Sequence, residues 1–214
     1  MRRAPELFVA VAIVVAVTVL YWLVVLPADA APGALVGHGL GIVGFALMLV
    51  TEIAYSVRKN ARDRAWGPMR TWLRAHVVTG IVGPYLVLLH TSWLAGGLAG
   101  ATMIATVVVV LSGFVGRYLY TAIPRTPDGA EATLDELDRR LAQFDRSLEL
   151  DGPSESRDRG GVAAERDRLA RSLGRARTAR KWLAIWHTVH VPLGAAMFTL
   201  AFIHIGFALY FTVR

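Results

Sequence analysis

Residues 72–93, WLRAHVVTGIVGPYLVLLHTSW, form the stretch that decides the fold. A second stretch, residues 186–207, reads WHTVHVPLGAAMFTLAFIHIGF and repeats its pattern. In both stretches a tryptophan comes four residues before a histidine, a glycine four after it, a second histidine fourteen after it, and an aromatic residue three further on. The repeated positions are Trp72, His76, Gly80, His90 and Trp93, and then Trp186, His190, Gly194, His204 and Phe207. Unrelated histidines would not agree at so many offsets, so we interpret the stretches as one ligand-bearing helix used twice.

The remaining sequence has the composition of a membrane protein. Hydrophobic residues make up 55% of the 214 residues and charged residues only 18%. The segment 122–181 holds 25 of the 39 charges. Elsewhere, five apolar runs reach the length of about 20 residues that a helix needs to cross the hydrocarbon layer. These predicted spans are residues 7–26, 34–55, 75–94, 98–123 and 187–211.

The predicted fold class is an all-α integral membrane protein, with five transmembrane helices in a bundle and a cytoplasmic helical hairpin. The predicted domains are helices 1–4 in residues 1–121, the hairpin insertion in residues 122–181, and helix 5 in residues 182–214. The first apolar run follows two arginines and could be read as a secretory signal. Its length of about 20 residues exceeds the 7–15 of a signal core and favours a retained helix.

The basic residues predict the orientation of the spans. With the N-terminus in the cytoplasm, 22 of the 23 Lys and Arg residues lie on the inner side, and only Arg214 lies outside. This agrees with the excess of positive charge on cytoplasmic loops. It predicts a protein of a bacterial inner (plasma) membrane, in contact with lipid and with its C-terminus outside. The net charge of +7 then needs no nucleic-acid partner.

The histidine spacing predicts two metal centres stacked across the membrane. Fourteen residues turn a helix to about 40° short of four full turns, so both histidines of a helix face the same way, about 21 Å apart. Because the third and fifth spans run in the same direction, His76 is level with His190 near the inner face, and His90 with His204 near the outer face. Such pairs would hold two haem b groups in a helical bundle.

Rival metal centres fit the residues less well. Ligands about 21 Å apart cannot share one zinc ion, and these helices lack the carboxylates that a di-iron site needs. The chain contains no cysteine, so thiolate clusters and c-type haem attachment are excluded. An iron with two histidine ligands has no open position for oxygen or substrate and therefore suits electron transfer.

Residues near the histidines have candidate roles of their own. Gly80 and Gly194 would let a flat macrocycle approach the backbone, although small residues also serve ordinary helix packing. His187 is the alternative inner ligand, but its spacing to His204 lies about 100° off the face, which favours His190.

Four further residues near the ends of the spans are candidates for contacts with the cofactors. Arg74 and Arg117 could meet haem propionates or simply anchor the inner side of the membrane. Glu52 and His38 are candidates for a quinone site or a proton path. The alternatives are that Glu52 pairs with a loop arginine such as Arg58, and that His38 only bonds a neighbouring helix.

The segment 122–181 predicts a helical hairpin. Its first helix carries one apolar seam at alternating three- and four-residue spacing. A breaker follows at residues 151–154, and the glycines at 160–161 could extend the turn. The seam consists of Leu134, Leu137, Leu141, Phe144 and Leu148, and the second helix carries Val162, Leu169 and Leu173 on one side. The hairpin could cover its own seam, dock a cytoplasmic partner, or do both.

The arrangement of two parallel helices, each with two histidines fourteen apart, resembles the di-haem b cytochromes. It is similar to the four-helix core of cytochrome b from quinol-oxidising bc complexes and to the ferric reductase and NADPH oxidase membrane domain. The resemblance covers roughly residues 34–123 and 182–212 and implies haem ligation by the four histidines of the repeat. Neither a Pro-Glu-Trp-Tyr motif nor a G-x-G-x-x-G after a strand is present, so we expect an electron-transfer or anchor subunit rather than a self-sufficient enzyme.

The sequence therefore predicts a di-haem b cytochrome subunit that carries electrons across the membrane between redox partner proteins or the quinone pool. Those partners would dock through residues 122–181 on the cytoplasmic side. Two alternatives stay open. One is a quinol-oxidising or quinone-reducing anchor subunit of an oxidoreductase complex. The other is a non-redox membrane scaffold whose histidines only form hydrogen bonds between helices.

Overall fold

A computed structural model describes residues 4–25, 35–60, 67, 69–91, 96–123, 134–150 and 156–213. Within these ranges the chain is helical and contains no strand, which confirms the all-α prediction. The helices are α1 (Pro5–Leu20), continued by a π-helical turn at Tyr21–Val25, then α2 (Leu35–Asn60), α3 (Met69–His90), α4 (Gly97–Thr121), α5 (Leu134–Leu150) and α6 (Ser156–Val213).

Five helical segments are long and apolar enough to cross a membrane, as predicted. They are Pro5–Leu23, Val36–Arg58, Met69–His90, Gly97–Thr121 and a stretch within Gly160–Phe211. Large apolar side chains on these helices are exposed, for example Phe8 on α1, Ile42 on α2 and Leu111 on α4. An apolar surface of this kind suits contact with lipid. A helix can lie in lipid because its backbone hydrogen bonds are all made within the helix. The fold is that of a helical membrane protein.

Internal contacts divide the chain into two compact units. The first unit comprises Met1–Leu111 and Leu193–Arg214, and the second comprises Ser112–Pro192. The first unit contains α1, α2, α3, the start of α4 and the end of α6. The second contains the end of α4, all of α5 and the start of α6.

In the first unit, α2 and α3 form a closely packed antiparallel pair. Thr51 donates to Thr79 over 2.6 Å near one end of the pair, and His90 Nδ1 lies 2.8 Å from the Gly37 carbonyl oxygen at the other. Between these points two glycines meet, and a Cβ at Gly44 would lie 2.7 Å from the carbonyl oxygen of Gly83. Small residues of this kind let helix backbones approach each other in a membrane.

The other helices of the first unit pack around this pair. Helix α1 runs parallel to α3, because its Glu6 lies 3.8 Å from Arg74 and its Thr18 hydroxyl lies 2.5 Å from the Tyr85 hydroxyl. The C-terminal part of α6 meets α2 at Phe45, whose ring makes edge contacts with two rings of α6. These are Phe198 and Phe202, with ring centroids 6.1 and 5.3 Å from that of Phe45.

In the second unit, α5 and the start of α6 form the predicted hairpin. Its core consists of Leu137, Leu173 and Ala176, with Leu134, Leu141 and Leu169 packed against it. Two ion pairs join the helices at the margin, Arg177 to Asp138 and Arg166 to Asp145, each at 2.8 Å. The two pairs show that the arms are antiparallel. The hairpin therefore covers much of its own apolar seam.

The second arm of the hairpin and the last membrane span are one continuous helix of 58 residues. The predicted boundary between residues 181 and 182 falls inside this helix. The expectation that Gly160 and Gly161 extend the turn is wrong, because α6 already begins at Ser156. Ala and Arg dominate the following residues and favour helix strongly enough to offset the cost of two glycines, about 1 kcal/mol each.

Candidate functional site

His90 is held against α2 at the end of α3. Its Nδ1 atom lies 2.8 Å from the Gly37 carbonyl oxygen, and since a carbonyl can only accept, Nδ1 donates. The ring of His38 approaches edge-on, with centroids 5.7 Å apart. Glycine at position 41 makes room for the imidazole, because a Cβ there would lie 2.8 Å from Cγ of His90. In a neutral imidazole bonded in this way, Nε2 carries the lone pair.

His190 is held in a similar way by α4, within the second unit. Its Nδ1 atom lies 2.6 Å from the hydroxyl oxygen of Ser112. Trp186 stacks on the imidazole with ring centroids 4.5 Å apart, and its indole donates to the Ser112 carbonyl oxygen over 2.7 Å. Gly116 leaves the space for this indole, since a Cβ there would clash with it. The imidazole is thus fixed at one edge and one face.

His187 lies in a different environment from His190. Its side chain is exposed, and its ring makes an edge contact with Trp186 at 6.4 Å between centroids. His190 is half-buried in the cluster with Ser112. A ligand to a buried cofactor needs a fixed ring orientation, so the geometry favours His190 of the two.

His76 is half-buried on α3, and its ring lies 4.9 Å from that of Tyr55 on α2, measured between centroids. Its Nδ1 atom is buried, and no hydrogen-bond partner for it lies within the described part of the chain. A buried polar atom without a partner costs about 1–3 kcal/mol, so a bound group that bonds this nitrogen would stabilise the site.

His204 lines an open groove of about 410 Å³ in the first unit. It is the polar side chain among otherwise apolar lining residues. The others are Leu98, Ala99, Phe207, Ala208 and Phe211. The groove is open, and its apolar lining suits contact with an apolar group, lipid included.

The two repeated glycines are not used for helix packing within the described chain. No described atom lies within 4 Å of the place where a Cβ on Gly80 or Gly194 would stand. Gly44 and Gly83, by contrast, meet each other between α2 and α3. Open space beside the repeated glycines agrees with the cofactor interpretation better than with the packing alternative.

The four repeated histidines fit haem ligation in their chemistry. Metal-ligating histidines almost always donate the second ring nitrogen to an oxygen, and His90 and His190 each hold Nδ1 against one. The Nδ1 atom of His76 is buried, and His204 lines an apolar groove. His90 and His204 belong to the same unit; His90 contacts α2, and His204 lines a groove together with Leu98 and Ala99 of α4. No group of three or more His, Asp or Glu side chains in the described ranges could hold a metal ion, but an axial pair requires only two.

The remaining candidates have the following partners. Arg74 lies 3.8 Å from the Glu6 carboxylate, so Glu6 would compete with a haem propionate for Arg74. Arg117 is half-buried on α4. Glu52 accepts a hydrogen bond from Ser56 over 3.3 Å, while Arg58 donates to the Gly67 carbonyl. The predicted alternative of a Glu52–Arg58 pair is therefore not formed.

Ser112 is a member of the His190 cluster that the sequence did not indicate. It stands alone as a polar side chain in the run VVVVLSGFVG, residues 107–116. Isolated serines in membrane helices commonly bond a neighbouring helix, so this run could have drawn attention to it. Which residue it would bond could not be read from the sequence, because the pairing of α4 with α6 joins positions 78 residues apart.

Comparison of the chain with protein-family models, with curated proteins and with solved structures gave no match. The fold defines the chain as a helical membrane protein. What its histidines do must be inferred from their own contacts and chemistry.

Proposed function

We propose that the chain is a di-haem b-type membrane cytochrome that carries electrons between the two faces of a bacterial inner membrane. His76 and His190 would hold the inner haem, and His90 and His204 the outer haem, as the sequence repeat pairs them. The observation that carries the proposal is the matched hydrogen bonding of two repeated histidines. His90 and His190 each present Nδ1 to an oxygen, at 2.8 and 2.6 Å.

A haem with two histidine ligands supplies reversible one-electron chemistry at iron without an open coordination position. The protein's part is to hold the imidazoles, keep water away and leave space for the macrocycle. The carbonyl of Gly37, the hydroxyl of Ser112 and the indole of Trp186 fix two of the rings. Gly80 and Gly194 leave the open space.

The direction of the chain across the membrane follows from its charges. The N-terminus and the hairpin would be cytoplasmic, since nearly all Lys and Arg residues then lie inside. Electron donors or acceptors on that side would be redox proteins that dock on the hairpin, or the quinone pool. The exposed ion pairs of the hairpin leave a charged surface for such contacts.

A quinone-reactive anchor subunit is the second candidate. It is favoured by Glu52, whose half-buried carboxyl group lies within a predicted span. This group accepts a hydrogen bond from Ser56 and forms no ion pair with Arg58. Such a group is costly in a membrane unless it serves a function such as moving protons. If quinol reduces both haems rapidly and Glu52→Gln or His38→Ala abolishes this, the second candidate is favoured over the simple electron carrier.

The first experiment is a reduced-minus-oxidised spectrum with haem quantitation on the purified full chain. Two low-spin b haems per chain are expected. A single haem would leave one histidine pair to be explained in another way. A protein that remains colourless and cannot be reconstituted with haem would overturn the cytochrome proposal and leave the scaffold, for which hydrogen bonds between helices suffice.

Single-histidine variants then test the pairing. His76→Ala and His190→Ala should each remove only the inner haem, and His90→Ala and His204→Ala only the outer one. His187→Ala is the matched control and should retain both haems. If His187→Ala loses a haem and His190→Ala does not, the inner ligand is His187.

A further inference from the structure

The cluster of Ser112, Trp186 and His190 does more than fill space between two helices. Ser112 contributes two groups: its hydroxyl meets His190 Nδ1 at 2.6 Å and its carbonyl accepts from the Trp186 indole at 2.7 Å. Trp186 in turn covers the imidazole face at 4.5 Å with the rings only 24° from parallel. The imidazole is therefore restrained both in the plane of the ring and perpendicular to it.

The direction of the Ser112–His190 hydrogen bond depends on what His190 does. A hydroxyl can donate or accept, and a neutral imidazole has one donating and one accepting nitrogen. If Nε2 is used as a metal ligand, the ring proton must lie on Nδ1, and Ser112 must accept it. A hydroxyl acceptor at Nδ1 makes the imidazole more basic and so favours the oxidised metal.

We propose that Ser112 is a positioning residue that accepts the Nδ1 proton of His190, selects the tautomer that ligates through Nε2 and lowers the reduction potential of that haem. This inference rests on the proposed function, since it presupposes haem on His190. The corresponding acceptor for His90 is the backbone carbonyl of Gly37. A side-chain substitution can therefore change the acceptor only at His190.

The test is a redox titration of the purified full chain, after haem quantitation, with the low-spin EPR spectrum as a second readout. Ser112→Ala removes the acceptor, and Ser112→Thr restores a hydroxyl. Thr102→Val on the same helix is the matched control, because the Thr102 hydroxyl donates to the Leu98 carbonyl of its own helix, at 2.9 Å. In Ser112→Ala, the reduced-to-oxidised ratio of the haem on His190 should rise about tenfold at a fixed ambient potential, the order expected for the loss of an outer hydrogen bond. For a one-electron couple this corresponds to a rise of about 59 mV in reduction potential.

In Ser112→Ala, the other haem should keep its wild-type potential. In Thr102→Val and in Ser112→Thr, both haems should keep theirs. Loss of one haem in Ser112→Ala together with its retention in Ser112→Thr would also support the proposal. Two haems with unchanged potentials and EPR spectra in Ser112→Ala would overturn it while leaving the cytochrome intact. Loss of the same haem from both Ser112 variants would overturn it too, since side-chain volume rather than the hydroxyl would then matter. Absence of haem from the wild-type chain would instead contradict the proposed function.

Discussion

Gly41 on α2 and His90 on α3 are in such close contact that a single added carbon would displace the imidazole. A Cβ at position 41 would lie 2.8 Å from Cγ and 3.0 Å from Cδ2 of His90. The ring is thus confined between this glycine and the Gly37 carbonyl, which its Nδ1 atom meets at 2.8 Å. The position of a proposed haem ligand therefore depends on the absence of a side chain on another helix.

Gly41→Ala should selectively weaken the outer haem. The new methyl group must push His90 away from the Gly37 carbonyl, and a metal site that loses such support binds roughly tenfold more weakly or worse. Haem content and the spectrum of the purified variant are the measurements. Gly39→Ala is the matched control, because no described atom lies within 4 Å of its Cβ position. Equal haem content in both variants would contradict this account of His90.

Gly80→Leu and Gly194→Leu should each lower haem content without destabilising the helices. Both positions face open space in the described chain, so the protein alone offers no obstacle to the larger side chain. Leucine is also a better helix former than glycine. The expected result is an unchanged or higher melting temperature of the haem-free protein together with a lower haem content. Full haem binding in both variants would show that no macrocycle lies beside these glycines.

Gly44→Ala should destabilise the first unit through helix packing. Its Cβ would lie 2.7 Å from the Gly83 carbonyl oxygen and 3.0 Å from Leu86 Cβ, and neither is the end of a flexible side chain. Overpacking of this kind costs about 1–3 kcal/mol. We expect the apparent melting temperature of the full chain to fall by several degrees, as measured by circular dichroism. Gly39→Ala again serves as the control and should not lower it.

Leu137→Ala should open the hairpin, whereas Asp138→Ala should hardly affect it. Leu137 is buried at 6% exposure in the core with Leu173, and such truncations cost about 2–5 kcal/mol. Asp138 forms an exposed ion pair with Arg177, and exposed pairs contribute about 0–1 kcal/mol. Trypsin should cleave the Leu137→Ala chain within the hairpin at least about tenfold faster than wild type. Similar cleavage rates for the two variants would show that the core does not hold the hairpin closed.

The predicted helical segments were correct in type, but the second hairpin arm and the last span form one helix, and several helix ends were misplaced. Helix α3 begins at Met69, six residues before the predicted start, and ends at His90. The prediction counted apolar residues, whereas a helix continues into polar flanks wherever residues such as Met, Arg and Leu favour it. The continuity of α6 was missed for the same reason, since a change from polar to apolar composition does not interrupt backbone hydrogen bonds.

What the sequence by itself determined is the membrane class, the helical segments and the repeat that marks its four histidines. These follow from local properties, namely apolar length, helix period and residue spacing. Only the tertiary structure decided that Gly37 and Gly41 surround His90, that Ser112 and Trp186 hold His190, and that Gly44 and Gly83 meet between α2 and α3. These relationships join residues far apart in the chain, and they depend on how helices pack, which residue spacing along one helix does not specify.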